Sequence, residues 1–308
     1  MSHQKTIRRP VSIRGIGLHT GKAVELTLLP APPGSGITFE RADLPGAPTI
    51  PARPEHVVDV HYATTLALDG VQVKTIEHLM AALSGLGVDN LRVRLTGPEV
   101  PILDGSAAPF VALLKTAGIR RYLLRKSPIR VQRPITVRAG DRWIRIEPAG
   151  RLVVEYTMTF GHPKLPAQRV VLTVNRETFV REVAPSRTFG FLRDVQYLWS
   201  QGLALGGSLE NAVVIGEDGV LNGPLRFPDE LVRHKILDLL GDLYLLGKPL
   251  VGTIIAHGAG HQLHLQLVHR IQEHLEAEPE PFSLSAAAVE QWVSPLLPPS
   301  RPLKAAVI

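Results

Sequence analysis

Apolar and polar positions alternate in two similar regions of the chain. One region covers residues 7–13 and 24–31, and the other covers residues 131–137 and 143–149. Each region has a pair of alternating segments joined by a turn, and its later segment ends in Pro-Ala, a pattern typical of β-hairpins. The pattern predicts a weak internal repeat in which each half of the chain opens on a hairpin.

A later segment in each half has the 3.6-residue apolar period of an amphipathic helix. The periodic positions are Ile76, Met80, Leu83 and Gly87 in the first segment, and Val232, Ile236, Leu239, Leu243 and Leu246 in the second. Strands followed by a helix, twice over, predict an α+β fold with paired layers. We place the boundary between two similar domains near residue 126, giving domains 1–126 and 127–276.

Three further segments depart from this plan. Residues 38–62, which contain several Pro and Gly, and residues 156–191, with apolar strands around Pro163–Pro166, are predicted to be inserts that shape a pocket. Residues 277–308 form a Pro-rich tail, predicted to be irregular except for a short helix near residues 286–292.

Composition is that of a globular protein. The chain has 308 residues, of which 44% are hydrophobic and 20% are charged, enough for two packed domains. The first ten residues are polar and basic with no apolar stretch behind them, and the longest aliphatic runs are too short to span a bilayer. We therefore expect a soluble cytoplasmic protein without a transmembrane segment.

The net charge of +6 is distributed unevenly. The stretch from Gly105 to Gly140 has no Asp or Glu but several Lys and Arg. Such a basic stretch could steer a phosphate-bearing substrate, or it could be a solvated linker between domains. Both interpretations remain open.

The absence of cysteine excludes disulfides and thiolate metal sites, so any zinc would be held by His, Asp or Glu. His234 and Asp238 are four residues apart on the second predicted helix and share the face opposite its apolar stripe, together with Gly241. An imidazole and a carboxylate one turn apart can chelate a divalent ion. Taken alone, the pair is more often a surface ion pair, so a third ligand is required.

The first helix offers that ligand. Thr75 is predicted to cap this helix, and His78 lies opposite its apolar stripe. Glu77, in the first turn, could take a proton from water at a metal site. Two His and one Asp would leave a fourth zinc position open, as in catalytic rather than structural sites. The alternative for His78 is an ordinary exposed polar face.

Five motifs in this order resemble the UDP-3-O-acyl-N-acetylglucosamine deacetylase family, a zinc-dependent family of lipid A biosynthesis. They are Gly17-Leu-His-Thr-Gly-Lys22, Thr75-Ile-Glu-His-Leu79, Pro101-Ile-Leu-Asp-Gly-Ser106, Ser186-Arg-Thr-Phe-Gly-Phe191 and Val232-Arg-His-Lys-Ile-Leu-Asp238. The resemblance implies two α+β sandwich domains, each with an insert and with the active site between them. It also implies hydrolysis of the N-acetyl group of an acylated UDP-sugar.

The resemblance also implies roles for individual residues. It implies that Zn2+ is bound by His78, His234 and Asp238. It implies that Glu77 is the general base, that a protonated His261 assists the leaving amine or the oxyanion, and that Asp242 orients His261. It implies that Thr188 stabilises the tetrahedral intermediate. The residues it implies for the substrate cleft and its acyl passage, an apolar tunnel near the second insert, are Lys235, His19, Phe160, Phe189, Phe191 and Ser208.

Two positions depart from the family pattern. Gly258 stands where the family commonly has a basic residue, and His264 stands where it has Asn. The resemblance therefore assigns no nucleotide contacts along this segment, which is interpreted as a strand. His257 could replace the missing donor or be an ordinary strand histidine.

Two other functions are compatible with some of these features. A His/His/Asp site does not name the bond that is cleaved, so a metal-dependent hydrolase of another amide or of a phosphoester is one alternative. A basic nucleic-acid-binding α+β protein is another, suggested by the isoelectric point of about 9.7. Only 5% of residues are aromatic and none interleave the basic stretch in pairs, which argues against stacking on bases. We expect a monomer that binds no nucleic acid.

Overall fold

The structure is a computed structural model that describes residues 2–277. Residues up to Gln272 belong to one compact unit, and the described residues of a second unit, Glu273–Ala277, are the end of the last helix. The predicted tail helix near residues 286–292 lies outside the described residues.

The first half of the chain contains a two-stranded sheet, a five-stranded sheet, a three-stranded sheet and two helices. Its strands are β1 (Ser2–Ile7), β2 (Val11–Ile16), β3 (Ala23–Pro30), β4 (Ile37–Arg41), β5 (Thr49–Pro51), β6 (Val57–Asp59), β7 (Thr65–Leu68), β8 (Val71–Val73), β9 (Leu91–Leu95) and β10 (Ile119–Lys126). Its helices are α1 (Glu77–Leu86) and α2 (Ala108–Ala117), and a 3-10 turn covers Pro54–His56.

The second half repeats the arrangement with a longer interruption. Its strands are β11 (Ile129–Arg130), β12 (Ile135–Ala139), β13 (Arg142–Glu147), β14 (Leu152–Met158), β15 (Gln168–Thr173), β16 (Phe189–Phe191), β17 (Val213–Gly216), β18 (Gly219–Val220) and β19 (Leu250–His257). Its helices are α3 (Arg176–Thr178), α4 (Leu192–Ser200), α5 (Glu230–Leu243) and α6 (His261–Ala277), with a π-helical turn at Phe179–Val183 and a 3-10 turn at Tyr244–Leu246.

The two main sheets have the same topology. The first has the order β2-β3-β9-β4-β5 and the second has the order β12-β13-β19-β14-β15, with β11 also paired to β19. In both sheets the late strand lies in the centre, parallel to one neighbour and antiparallel to the other. The fold is therefore α+β and repeats internally, as the two hairpins predicted.

The interruptions begin later than the sequence predicted. Strands β4 and β5 lie within or overlap the predicted insert 38–62 but belong to the first main sheet, and β14 and β15 overlap the predicted insert 156–191 but belong to the second. The segments that interrupt the repeat with structure of their own are instead β6–β8 and the stretch from α3 to β18. Alternation marks a strand but not its sheet, so it could not locate these borders. The division into domains at residue 126 stays a prediction.

Helices α1 and α5 pack against each other at the centre of one continuous hydrophobic core. Eight residues of α1 are buried. A methyl group on Gly241 of α5 would lie 2.1 Å from the Glu77 carbonyl oxygen, so glycine permits contact between the two backbones. The polar residues that α1 and α5 share at this crossing are consequently withdrawn from solvent.

Among the described residues, no helix is both long enough and apolar enough to cross a membrane.

Candidate metal centre and active site

The three predicted metal ligands lie together where α1 crosses α5. His78 Nε2 is 3.7 Å and His234 Nε2 is 3.3 Å from the same oxygen, Asp238 Oδ1. All three residues are buried, with 4%, 2% and 2% of their surface exposed respectively. One ligand atom from each of the three lies within 4.8 Å of the others, which is the spacing of groups that could hold one metal ion.

The polar face that each helix carries opposite its apolar stripe is not solvated. Almost all of α5 is buried, and its polar side lies against α1. A buried polar face of this kind needs partners for its charges. The interpretation of His234 and Asp238 as a surface ion pair, and of His78 as an exposed residue, is therefore excluded.

The histidines have the protonation state of metal ligands. Burial, and for His78 the neighbouring His234, lower the pKa of both imidazoles, that of His78 to about 3. His234 donates from Nδ1 to the Ser186 carbonyl oxygen at 3.1 Å, which leaves the Nε2 lone pair facing the cluster. Burial opposes ionisation of Asp238, but His234 and Lys235 outweigh it and lower its pKa. Two neutral imidazoles and one carboxylate suit a divalent cation.

Glu77 precedes the ligand His78 at the first position of α1 and is 3% exposed. The Thr64 amide donates to its Oε2 at 3.1 Å. Burial raises the pKa of Glu77 to about 8, with further contributions from Asp238 and Asp242. A carboxyl group with this pKa can both accept and return a proton near neutral pH.

A second cluster lies one turn further along α5, at Asp242. His261 and His264 both donate from Nδ1 to Asp242 Oδ2, each at 2.8 Å, and the Thr64 hydroxyl donates to Oδ1 at 2.6 Å. His261 Nε2 lies 3.8 Å from Asp238 Oδ2, so the two clusters adjoin. The ligand atoms of Asp242, His261 and His264 also lie within 4.8 Å of one another.

Asp242 and His261 form an ion pair. Burial opposes the charge on His261, but the charge and hydrogen bond of Asp242 outweigh it and raise the pKa of His261 to about 9. Burial likewise opposes the charge on Asp242, yet His261 and His264 lower its pKa to about 2. His261 is therefore charged at neutral pH and can donate a proton.

Sequence reasoning missed two members of this cluster. It marked His264 only as a departure from the family pattern on a segment interpreted as a strand, whereas α6 begins at His261 and places His264 on the same helical side. His264 is fully buried, with Nε2 3.2 Å from the Tyr156 hydroxyl. Helical spacing could have revealed His264. Thr64, on a loop between two short strands, carried no signal.

The aromatic residues predicted to line the substrate passage form a chain of ring contacts. Ring centroids are 5.8 Å apart for Phe160 and Phe189, 6.5 Å for Phe189 and Phe191, and 6.2 Å for Phe189 and His234. The chain therefore leads from the metal centre into the second half's small sheet. The ammonium of Lys235 lies 5.6 Å from the Phe189 ring and 2.7 Å from Asp238 Oδ2.

A largely apolar cavity of about 690 Å³ continues from this chain. It is lined by Phe191, Leu192, Val195, Trp199 and Ile215, among others. The wall is formed by α4 together with the small sheet, the interruption of the second half. This is the location predicted for an apolar tunnel.

The remaining predicted residues lie on loops. The Thr188 amide donates to Gly105 O at 2.8 Å, so the 101–106 motif holds the segment that leads into β16. Ser208 is exposed on a turn, where its hydroxyl accepts the Glu210 amide. His19 is 6% exposed, and its backbone amide donates to Glu99 Oε1 at 2.9 Å. Their roles toward a substrate stay predictions.

Part of the basic stretch lies at the other end of α1. Lys126 donates to the Gly87 carbonyl oxygen at 3.3 Å and pairs with Asp89, just beyond the C-terminus of the helix whose first turn carries Glu77 and His78. Arg125 and Lys126 line a separate cavity of about 530 Å³. These two cations are therefore not part of the metal centre.

Two imidazoles and one carboxylate that could hold a metal ion, beside a further carboxylate and near an apolar cavity, are typical of a metal-dependent hydrolase. The profile of the LpxC family, described as UDP-3-O-acyl N-acetylglycosamine deacetylase, matches residues 4–273. The chain belongs to this family.

Individual relatives agree with the family match. The chain is 50% identical over 270 residues to a protein of Myxococcus xanthus, covering 87% of this chain and 86% of that protein. It is 49% identical over 272 residues to one of Syntrophotalea carbinolica, covering 88% of each. It is 45% identical over 304 residues to one of Oleidesulfovibrio alaskensis, covering 98% of this chain and 100% of that protein. All three are named UDP-3-O-acyl-N-acetylglucosamine deacetylase.

Proposed function

We propose that this protein is a zinc-dependent amidohydrolase that removes the N-acetyl group of UDP-3-O-(3-hydroxyacyl)-N-acetylglucosamine, the committed step of lipid A biosynthesis. The products are acetate and the free amine. The observation that carries the proposal is the convergence of His78, His234 and Asp238 beside Glu77, in a chain that belongs to the deacetylase family.

The donor set fits zinc. It has two imidazole nitrogens and one carboxylate oxygen, with His234 oriented by a backbone carbonyl, and it leaves a fourth position for water or substrate. When bound, zinc would supply Lewis-acid polarisation of the acetyl carbonyl and would lower the pKa of water at the site toward ~7.

Two side chains of the protein carry out the proton transfers. Glu77 removes a proton from the attacking water, a role that suits a buried carboxylate immediately before the ligand His78. His261 donates from its charged imidazole to the leaving amine or to the developing oxyanion, and Asp242 keeps it charged and oriented. Thr188 and zinc would stabilise the oxyanion.

The apolar cavity supports an acylated substrate. Its lining by α4 residues and Phe191 could accommodate an alkyl chain, while the chain of phenylalanine rings leads back to His234. A simple N-acetyl sugar would leave this apolar surface uncovered. This favours an acylated substrate over a simple N-acetyl sugar, and the family match favours the acylated UDP-sugar over other amides and phosphoesters. A cytoplasmic location is part of the same proposal.

Elemental analysis coupled to a deacetylation assay tests the proposal. Purified protein should contain about one zinc per chain, lose turnover of the acylated UDP-sugar with chelator, and regain it with zinc. UDP-N-acetylglucosamine without the acyl chain is the matched control substrate and should be turned over far more slowly. Equal turnover of both sugars, or full activity after complete removal of metal, would refute the proposal.

A further inference from the structure

Glu99 is a buried carboxylate outside both clusters, with 1% of its surface exposed. Its Oε1 accepts hydrogen bonds from the His19 amide at 2.9 Å and the Thr75 hydroxyl at 2.8 Å. Its Oε2 accepts from the Thr20 amide at 2.8 Å and the Thr20 hydroxyl at 2.7 Å. The described residues give it no salt bridge, so these four donors are what holds the carboxylate in the core.

One of these donors controls the start of α1. Thr75 has a φ of +58°, in the left-handed region that a β-branched residue rarely adopts. The prediction that Thr75 caps α1 is wrong. The N-cap residue is Ile76, and no side chain caps the helix. The hydroxyl instead bonds to Glu99, which holds the strained turn immediately before Glu77 and His78.

The other donors belong to the loop that carries His19. A methyl group on Gly17 would lie 2.2 Å from Glu99 Oε2, so glycine is required for the loop to close over the carboxylate. The Ala204 amide approaches His19 Nδ1 at 3.4 Å, which makes Nδ1 the acceptor and places the proton on Nε2. That Nε2 is buried and forms no hydrogen bond among the described residues, although the Tyr62 backbone lies near enough to favour the protonated imidazole.

We propose that Glu99 is a positioning residue that fixes the metal-binding end of α1, through Thr75, and the His19 side of the substrate cleft, through the residue 17–20 loop. Both of its carboxylate oxygens are occupied by the four donors, so it would act through them rather than on the substrate. The catalytic part of this inference rests on the proposed function. The effect of Glu99 on metal binding can be measured independently of it.

The first test compares Glu99→Gln with Glu40→Gln. Gln at position 99 is isosteric but presents an amide group to some of the four donors. Glu40 is a matched control, since it is 4% exposed, pairs with Arg94 at 2.6 Å, and lies on β4 in the same half of the chain. We expect Glu99→Gln to lower kcat/KM and zinc affinity, measured by chelator competition, by about tenfold or more. We expect Glu40→Gln to change neither by more than about twofold.

Two further variants separate positioning from a loss of stability. Thr75→Val keeps the shape of the side chain and removes only the α1 connection, so zinc affinity and kcat should fall while KM is kept. Thr20→Val removes a bond on the His19 side, so KM should rise while zinc affinity is kept. A purely structural role would instead lower both properties together, in proportion to the loss in thermal midpoint.

The proposal is overturned if folded Glu99→Gln matches Glu40→Gln in kcat/KM and zinc affinity, or if the two threonine variants show no split. If the wild-type protein fails to turn over the acylated UDP-sugar while Glu99→Gln and Thr75→Val still weaken zinc binding, the proposed function fails and the positioning role stands.

Discussion

Helices α1 and α5 occupy equivalent places in the two halves, yet they contribute differently to the site. Each precedes the strand at the centre of its sheet, β9 or β19. From α1 come Glu77 and His78, adjacent residues of the first turn, whereas α5 presents His234, Asp238 and Asp242 on one face over two turns. In the proposed site, one helix would supply the base and one ligand, and the other would supply two ligands and the group that orients His261. Neither half therefore holds a complete site.

The close crossing of these helices depends on one glycine. Gly241 lies between Asp238 and Asp242 along α5, and its lack of a side chain lets the Glu77 backbone approach. The proposed binding of one cation by His78, His234 and Asp238 depends on this close approach of the helices. Substitutions on each helix in turn test whether the two helices have these different roles.

Asp238→Ala should have the largest effect. It removes the carboxylate that both histidines face, so we expect loss of stoichiometric zinc and a fall in activity of at least about 10³-fold. Zinc content after dialysis and initial rates measure this. Asp229→Ala, at the N-terminus of the same helix and paired with Arg233, is the control and should retain zinc. A zinc-replete, active Asp238→Ala enzyme would contradict the ligand assignment.

Glu77→Gln should show that the role of Glu77 as a base is distinct from the role of its neighbour His78 as a ligand. The amide keeps the volume and can still accept the Thr64 amide, but it cannot take a proton, so the rate should fall by about 10²–10⁴-fold with zinc still bound. Combined metal analysis and kinetics check the outcome. Full activity with zinc bound would show that another group is the base.

Asp242→Asn should change the pH dependence. In the wild type Asp242 raises the pKa of His261 to about 9, so a step that needs charged His261 loses rate as pH rises through that value. Without the carboxylate the pKa falls, and the alkaline limb of kcat/KM should move to lower pH with a loss of about 10–100-fold in rate. An alkaline limb that does not move would argue against His261 as the proton donor.

Gly241→Ala should have the smallest effect on chemistry, acting through the distance between the helices. The new methyl would overlap the Glu77 carbonyl, so we expect about 1–3 kcal/mol of destabilisation and weaker zinc binding. Gly150→Ala is the control, because a methyl there meets nothing within 4 Å. Chemical denaturation and chelator competition measure both effects, and an unchanged Gly241→Ala protein would mean that the crossing is not tight.

Sequence periodicity was sufficient to predict the repeat, the two central helices and the faces that carry His78, His234 and Asp238. These features are set locally, by hairpin alternation and by helical spacing. Periodicity could not predict that the polar faces of α1 and α5 pack against each other, because a solvent-exposed polar face and a buried polar face have the same sequence pattern. The family resemblance supplied that step.

The features that the sequence predicted wrongly or did not reveal all depend on contacts between residues far apart in the chain. Thr75 caps nothing because its hydroxyl is taken by Glu99, 24 residues away in sequence, and Thr64 reaches Asp242 across 178 residues. The insert borders were misplaced because strands at sheet edges, such as β5, have no signature that names their sheet. Such pairings depend on the folded chain rather than on any window of sequence.

The central claim is most directly tested by locating zinc with anomalous diffraction from crystals of the zinc-loaded protein. We predict one ion within about 2.0–2.2 Å of His78 Nε2, His234 Nε2 and an oxygen of Asp238, with Glu77 beside it. An ion held instead by Asp242, His261 and His264, with the predicted ligands uncoordinated in active enzyme, would contradict this assignment.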